Sequence, residues 1–184
     1  MTGRNQPVKE TRTPLMDEQD ARVWNALAEV HDPEIPVLSL VDLKIIRSVK
    51  VDGQNVHVVM TPTFSGCPAL NVMKQEVENR LIALGFTHVQ VEFTYSEPWK
   101  TDLLEESTRE KLRAFGIAPP VQLVLPQSPE GRKANLQYAL EQPVPCPFCG
   151  SENTKLDSFF GATLCKQLFF CDSCHQSFDR FKPV

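Results

Sequence analysis

The spacing of apolar positions predicts two amphipathic helices in the first half of the chain. Between Asp17 and Val30, apolar side chains recur at the three- and four-residue intervals of one helical face. A longer run over 70–84 has the same spacing, and Gly85 directly after it is typical of a helix C-terminus. Pro68 suits the first turn of this second helix, because its missing N–H would have no intrahelical partner there.

Three other segments show the two-residue alternation of β-strands. The segments 45–51 and 56–60 flank Asp52-Gly53, a dipeptide typical of tight hairpin turns. The segment 88–94 alternates most regularly. These patterns predict a hairpin and a third strand.

A third helix completes the first part of the chain. It carries Leu112 and Phe115, and Ser107 and Glu110 are spaced as a capping box at its start. The order is then helix, strand, strand, helix, strand, helix. This order predicts an α+β fold in which a small mixed sheet packs on helices.

Composition divides the chain into four regions. Residues 1–16 are polar and predict a disordered tail. The α+β domain spans 17–121, and the periodicity fades over 122–143, which we interpret as a linker. Residues 144–184 contain most of the cysteines and predict a small β domain of the zinc-ribbon type.

Charge and composition exclude several classes of protein. The net charge of −4 argues against nucleic-acid binding, which normally shows a basic footprint. No apolar run approaches the roughly 20 residues of a membrane span, and the N-terminus lacks the apolar core of a signal peptide. Six cysteines without an export signal favour metal or redox chemistry over disulfides. We therefore expect a soluble, cytoplasmic protein that uses its cysteines.

Two CxxC pairs carry the strongest chemical signal. Cys146 and Cys149 form one pair, Cys171 and Cys174 the other, and four thiolates satisfy a tetrahedral zinc ion. A structural zinc, one per chain, is the favoured interpretation. An iron–sulfur cluster on the same cysteines remains open, as do disulfides or no metal. Cys165 is a fifth thiol for which a tetrahedral ion has no place, so it is buried, reactive or a ligand in another cluster.

Seven phenylalanines accompany these cysteines and are expected to form the apolar core of the ribbon. They are Phe148, Phe159, Phe160, Phe169, Phe170, Phe178 and Phe181.

Cys67 is the candidate reactive thiol of the first domain. It follows a predicted strand and precedes a predicted helix, where the helix dipole and free N–H groups favour a thiolate. The alternative is an inert, buried cysteine. Asp32 and Glu34 flank Pro33, and they either support a thiol or metal site at Cys67 or simply end the first helix.

Several motifs resemble known families. Asp32-Pro-Glu-Ile-Pro36, Leu40-Val-Asp-Leu43 and the segment 61–68 resemble a small α+β family associated with iron–sulfur protein assembly, to which SufT belongs. The segments 98–99, 110–120 and 160–182 are similar to the PaaD family, whose members are accessory proteins of the ring-1,2-phenylacetyl-CoA epoxidase system in aerobic phenylacetate degradation. The resemblance covers about 23–182.

The PaaD resemblance implies an accessory or maturation factor that is not catalytic alone. It implies that Cys67 is the reactive thiol and transiently holds iron or sulfide, with Asp32 and Glu34 as neighbours, and that Cys165 is part of the family pattern. The implied partners are the epoxidase reductase or oxygenase subunits and the iron–sulfur assembly machinery. A stoichiometric adaptor of the epoxidase with a purely structural zinc is the alternative, a stand-alone thiol enzyme is least favoured, and a homodimer is left open.

Overall fold

The computed structural model describes residues 18–121 and 137–183, which form an α+β unit followed by a small β unit. The expected disordered tail and most of the expected linker lie outside these residues. In chain order the elements are α1 (Glu18–Leu27), β1 (Ile46–Asp52), β2 (Asn55–Met60), α2 (Leu70–Ala83), β3 (His88–Phe93), a 3₁₀ turn (Thr101–Leu103), α3 (Glu106–Ala114), β4 (Ile117–Ala118), α4 (137–141), β5 (Thr154–Ser158), β6 (Lys166–Cys171) and β7 (Ser177–Phe181). No helix among the described residues has the length and apolar character needed to cross a bilayer.

The first sheet is mixed, as the sequence predicts. β1 and β2 pair antiparallel with Asp52 opposite Asn55, so the turn is Gly53-Gln54, one residue later than the pair that the sequence suggests. β2 pairs parallel with β3 after the α2 crossover. The inward side chains of β2 and β3 pack against one face of α1 and α2. The buried residues at this contact are Val23, Leu27, Val56, Val58, Met60, Met73, Val77, Leu81 and Val91.

The segment 28–45 between α1 and β1 contributes much of the same core, although it contains no regular element. Its buried aliphatic side chains are Val30, Ile35, Leu38, Leu40, Leu43 and Ile45. Backbone hydrogen bonds from Asp32 N–H to the Leu38 carbonyl (2.9 Å) and from Leu40 N–H to the Val30 carbonyl (2.8 Å) close the segment on itself. This closure holds Asp32 and its neighbours against the core.

Two helix starts differ from the sequence-based expectation. α3 has Glu105 at its N-cap position, so Ser107 and Glu110 both lie inside the helix and form no capping box. α2 begins at Leu70 with Ala69 as its N-cap, so Pro68 precedes the helix instead of occupying its first turn. The Ala69 N–H donates a hydrogen bond to the Cys67 sulfur, and the cysteine lies just outside the helix.

The second sheet joins the two units. β5, β6 and β7 form an antiparallel ribbon, and β4 of the first unit pairs parallel with β7, giving the order β4-β7-β6-β5. Phe181, at the end of β7, belongs to the core of the first unit. Its ring packs edge-on against Trp99 with centroids 5.7 Å apart, and Trp99 Nε1 donates to the Leu43 carbonyl (2.7 Å).

The end of the expected linker packs on the ribbon. Arg180 is fully buried, and its guanidinium donates to the carbonyls of Ala139 (2.8 Å) and Leu140 (3.3 Å) in α4. Gln167 Nε2 donates to the same Leu140 carbonyl (3.0 Å). The C-terminal carbonyls of α4 are thus satisfied by the ribbon sheet.

The contact between the units predicts unequal roles for two ribbon phenylalanines. Phe181→Ala should lower the free energy of unfolding by roughly 3–5 kcal/mol, because it empties a site in the core of the first unit. Phe160→Ala, at a side chain that is 66% exposed, should cost less than about 1 kcal/mol. Denaturant unfolding of both variants measures the difference. An equal decrease in the free energy of unfolding for the two variants would mean that the Phe181 ring does not join the two units.

Candidate functional site

The four cysteines of the CxxC pairs converge at one end of the ribbon. Their sulfur atoms all lie within 4.8 Å of one another, with Cys146 and Cys174 Sγ 3.7 Å apart and Cys149 and Cys171 Sγ 3.6 Å apart. Both turns have the same backbone form. Gly150 N–H donates to the Cys146 carbonyl and His175 N–H to the Cys171 carbonyl, with both residues at positive φ (74° and 58°).

This geometry fits a single tetrahedral ion. Zn–S bonds of about 2.3 Å place the sulfurs of a tetrahedron about 3.8 Å apart, close to the shortest separations here. A cluster of several iron atoms would hold its thiolates farther apart. The backbone N–H groups of Cys174 and Ser173 donate to the Cys171 thiol and lower its pKa to about 7, whereas burial raises the pKa of Cys174 to about 12, so an ion that binds here displaces protons.

The aromatic core of the ribbon is smaller than the sequence predicts. Phe169 and Phe178 stack beside the cysteines with centroids 5.9 Å apart, and Phe181 is buried against the first unit. Phe148, Phe159 and Phe160 are instead exposed, so their assignment to the core is wrong. Phe148 lies in the first CxxC turn, and Phe159 and Phe160 lie in the connection between β5 and β6, so none of the three is on a strand of the ribbon.

The second candidate site is the corner at Cys67. The partly buried thiol lies between β2 and α2, in a turn closed by a hydrogen bond from Cys67 N–H to the Phe64 carbonyl (3.1 Å). The carboxylates of Glu34 and Asp32 face it closely enough to affect its pKa. The structure therefore brings together the three residues that the sequence names for this site.

Asp32 shapes the loop that carries both carboxylates. Its Oδ1 accepts hydrogen bonds from the N–H groups of Glu34 (2.7 Å) and Ile35 (2.9 Å), an arrangement that fixes the Asp-Pro-Glu turn. Burial raises the pKa of Asp32, and these two hydrogen bonds oppose that effect. The carboxylate that fixes this turn is that of Asp32, and the Glu34 carboxylate has a different partner, described below.

The position of Cys67 in the sequence favours a thiolate, but the surroundings of the thiol in the folded protein act against it. Burial raises the pKa of the Cys67 thiol, and the negative charges of Glu34 and Asp32 raise it further. The Ala69 N–H acts in the opposite direction but does not outweigh them. Cys67 also lies three positions before the first residue of α2, outside the helix itself.

Cys165 lies at the same site, which no spacing in the sequence predicts. Its thiol donates to Glu34 Oε2 (3.5 Å) across 131 positions of sequence and lies 3.2 Å from the Thr163 hydroxyl. Burial raises its pKa to about 11, and the charges of Glu34 and Asp32 contribute to the shift. Only the docking of the ribbon against the first unit brings Cys165 here.

The ribbon geometry predicts one metal ion per chain. Protein purified without oxygen should contain one zinc or iron ion and no acid-labile sulfide, because four sulfurs at these separations enclose a single ion. Cys171→Ser should lose the ion and unfold the ribbon. Cys165→Ser is the matched control and should retain it, since its thiol faces Glu34 instead. Stoichiometric sulfide would contradict the single-ion site.

The environment of Cys67 predicts slow alkylation at neutral pH. Because only the thiolate reacts, the iodoacetamide rate at Cys67 should stay low near pH 7 and rise most steeply above about pH 8.5, the ordinary thiol value. Glu34→Gln or Asp32→Asn should speed the reaction at pH 8 by about threefold to tenfold, since each removes a charge that opposes the thiolate.

Mass spectrometry of the Cys67 peptide measures these rates. Glu110→Gln, the same change at an exposed position of α3, is the control and should have no effect. A Cys67 that reacts faster than a free model thiol at pH 7 would refute this description of the site.

Comparisons with known proteins match both units. A family described as "Iron-sulfur cluster assembly protein" matches residues 20–93, and one described as "PaaD zinc beta ribbon domain" matches residues 131–182. The chain is 33% identical over 94 residues to an "Fe-S protein maturation auxiliary factor" of Porphyromonas gingivalis (strain ATCC BAA-308 / W83), covering 50% of this chain and 87% of that one. A solved structure of a DUF59 domain from Bacillus anthracis covers 50% of this chain and 89% of its own, with 23% identity and a TM-score of 0.47.

One relative spans both units. The chain is 39% identical over 162 residues to an Escherichia coli (strain K12) protein named as a subunit of the "Putative 1,2-phenylacetyl-CoA epoxidase", and the match covers 88% of this chain and 92% of that protein. The family of the ribbon carries the same name, PaaD, that the sequence motifs indicate. The chain belongs to the PaaD family.

Proposed function

We propose that this protein is an accessory factor of the 1,2-phenylacetyl-CoA epoxidase of aerobic phenylacetate catabolism and supports assembly of its iron–sulfur or di-iron cofactor through Cys67. The observation that carries this proposal is a partly buried Cys67 thiol faced by the Asp32 and Glu34 carboxylates, in a unit that matches an iron–sulfur assembly family. The full-length relative named as an epoxidase subunit supports the choice of client.

The donor set at Cys67 suits a metal ion that is carried as cargo. One thiol and two carboxylates offer sulfur and oxygen ligands that Fe²⁺ accepts. Because the Cys67 pKa is raised, the incoming cation must displace a proton from the thiol, and reprotonation favours release. Such a site can hold an ion briefly and pass it to a client protein.

The ribbon ion has a different role in this proposal. Four cysteine ligands leave no open position for substrate, so the ion stabilises the ribbon. The ribbon in turn presents a surface to a partner, which we take to be an epoxidase reductase or oxygenase subunit or an iron–sulfur assembly protein.

A stand-alone thiol enzyme fits the Cys67 site less well. Nucleophilic cysteines are activated by a neighbouring base or by a lowered pKa. The charged groups that face Cys67 are carboxylates that raise its pKa. The arrangement therefore favours metal cargo over covalent catalysis.

A stoichiometric adaptor remains the second candidate, because the ribbon exposes large apolar side chains. Phe159, Phe160 and Leu164 are 44%, 66% and 41% exposed, and all three lie in the connection between β5 and β6. Exposed aromatic side chains are typical of protein interfaces. In this alternative the ribbon binds the epoxidase subunits and Cys67 is structural.

Cofactor content of the epoxidase in cells distinguishes the two candidates. If Cys67 carries cargo, the Cys67→Ala variant lacks the carrier ligand. The reductase or oxygenase isolated from cells with this variant should then contain several-fold less iron or sulfide than the same subunit isolated from wild-type cells. Ser65→Ala, an exposed neighbour in the same turn, should leave the cofactor content unchanged.

The adaptor predicts the opposite pattern. Cys67→Ala would then give fully loaded subunits and normal activity, whereas Phe160→Asp would dissociate the complex because it puts a charge on the exposed aromatic surface. Full cofactor occupancy in cells that lack this protein would refute the carrier role.

A further inference from the structure

Two thiols from different units share one pair of carboxylates. Glu34 and Asp32 act on the thiols of both Cys67 and Cys165, and the Cys165 thiol donates directly to Glu34 Oε2 at 3.5 Å. Cys67 belongs to the α+β unit, and Cys165 immediately precedes β6 of the ribbon. The acidic turn therefore lies at the boundary between two potential sulfur ligands.

We propose that Cys165 is a second sulfur ligand of the Cys67 site, so that Cys67, Glu34 and Cys165 together take a divalent cation of borderline softness such as Fe²⁺ or Zn²⁺. This inference deepens the proposed function, because it completes the same cargo site. Two sulfurs with a carboxylate select such cations over Mg²⁺ or Ca²⁺, which prefer oxygen ligands alone.

The charges around the site suit a cation of this class. Asp32 and Glu34 are acidic, while Lys166 lies near Asp32 and forms an ion pair with Asp179 (3.1 Å). Lys182 lies near Cys165, and its ammonium donates to the Leu164 carbonyl (2.7 Å). Asp179 largely neutralises Lys166, and the two carboxylates outweigh the single positive charge of Lys182, so a cation is still attracted.

Cys165 is also reachable from outside. It lines a largely apolar cavity of about 200 Å³ with Thr63 and Phe64 from the Cys67 turn and Phe181 and Lys182 from the end of β7. A cavity between the two thiol-bearing segments gives them room to rotate toward a common ion. Among the described residues, the ribbon cysteines alone form a preassembled group of metal ligands, so this site closes only when the ion arrives.

A closing site binds more weakly than a preassembled one, because binding includes the cost of ordering its side chains. The ribbon cysteines retain their ion, and the pair at the boundary releases one. The two sites therefore differ in affinity both because their ligands differ and because only the ribbon has its ligands already in place.

Cobalt titration tests the second ligand. Co²⁺ is added without oxygen to the full chain with zinc loaded into the ribbon, and thiolate-to-cobalt absorbance in the near ultraviolet is recorded together with any zinc released. We expect cobalt to bind without loss of zinc. Cys67→Ser and Cys165→Ser should each reduce the absorbance to about half and weaken binding by at least about tenfold, and the double variant should abolish it.

Leu164→Ala is the matched control, because it alters the neighbour of Cys165 but removes no ligand, and it should behave like the wild type. Retention of the ribbon zinc shows that each variant is folded. As a second measurement on the wild-type chain, Co²⁺ should protect the Cys67 and Cys165 peptides together from iodoacetamide. An unchanged spectrum and affinity in Cys165→Ser, protection of Cys67 alone, or absorbance matched by released zinc would each overturn the proposal.

This outcome is separable from that of the proposed function, because cobalt binding requires no epoxidase. If both thiols bind cobalt while Cys67→Ala cells still make a fully loaded epoxidase, the two-thiol site stands and the carrier role fails. If epoxidase loading depends on Cys67 but Cys165→Ser leaves cobalt binding intact, the carrier role stands and the second ligand is excluded.

Discussion

The insertion of the Phe181 ring beside Trp99, with the pairing of β4 and β7, is the contact on which the rest of the structure depends. It makes the ribbon sheet continuous with the first unit and fixes the start of β6 against the Asp-Pro-Glu turn. Cys171 ends β6 and Cys165 precedes it, so the ribbon ion and the Cys67 site lie at opposite ends of one strand, about 20 Å apart. The ion therefore acts on Cys67 only by holding the strand in place.

Local periodicity was enough to predict the helices α1 and α2 and the strands β1, β2 and β3. The apolar faces of α1 and α2 and the alternation of β2 and β3 follow from side-chain spacing alone, and the CxxC pairs predicted the four-cysteine group correctly. The segment 28–45 escaped prediction because its aliphatic side chains are buried without a regular period. The pairing of β4 with β7 joins a two-residue strand to a distant one, and no local pattern identifies such a strand.

The candidate site was predictable only in part, for the same reason. Asp32, Glu34 and Cys67 could be named because each lies in a distinct turn motif. The position of Cys165 beside Glu34 depends on the tertiary contact between the units. The protonation of Cys67 depends on burial and on two charges from another segment, and these together outweigh the helix N-terminus that the sequence shows.

The chain thus contains two groups of thiols that differ in geometry. In the ribbon, four sulfurs are already at ion-binding separation, so a bound ion is retained. At the boundary, burial and carboxylates raise the pKa values of Cys67 and Cys165, so protons compete with a metal for the sulfur. In the proposed carrier role, the ribbon holds its ion because its four sulfurs are already in place, and the boundary site releases its ion because its ligands are not. A thiol that was already a thiolate at the boundary would bind its cargo too tightly to release it and would be more readily oxidised.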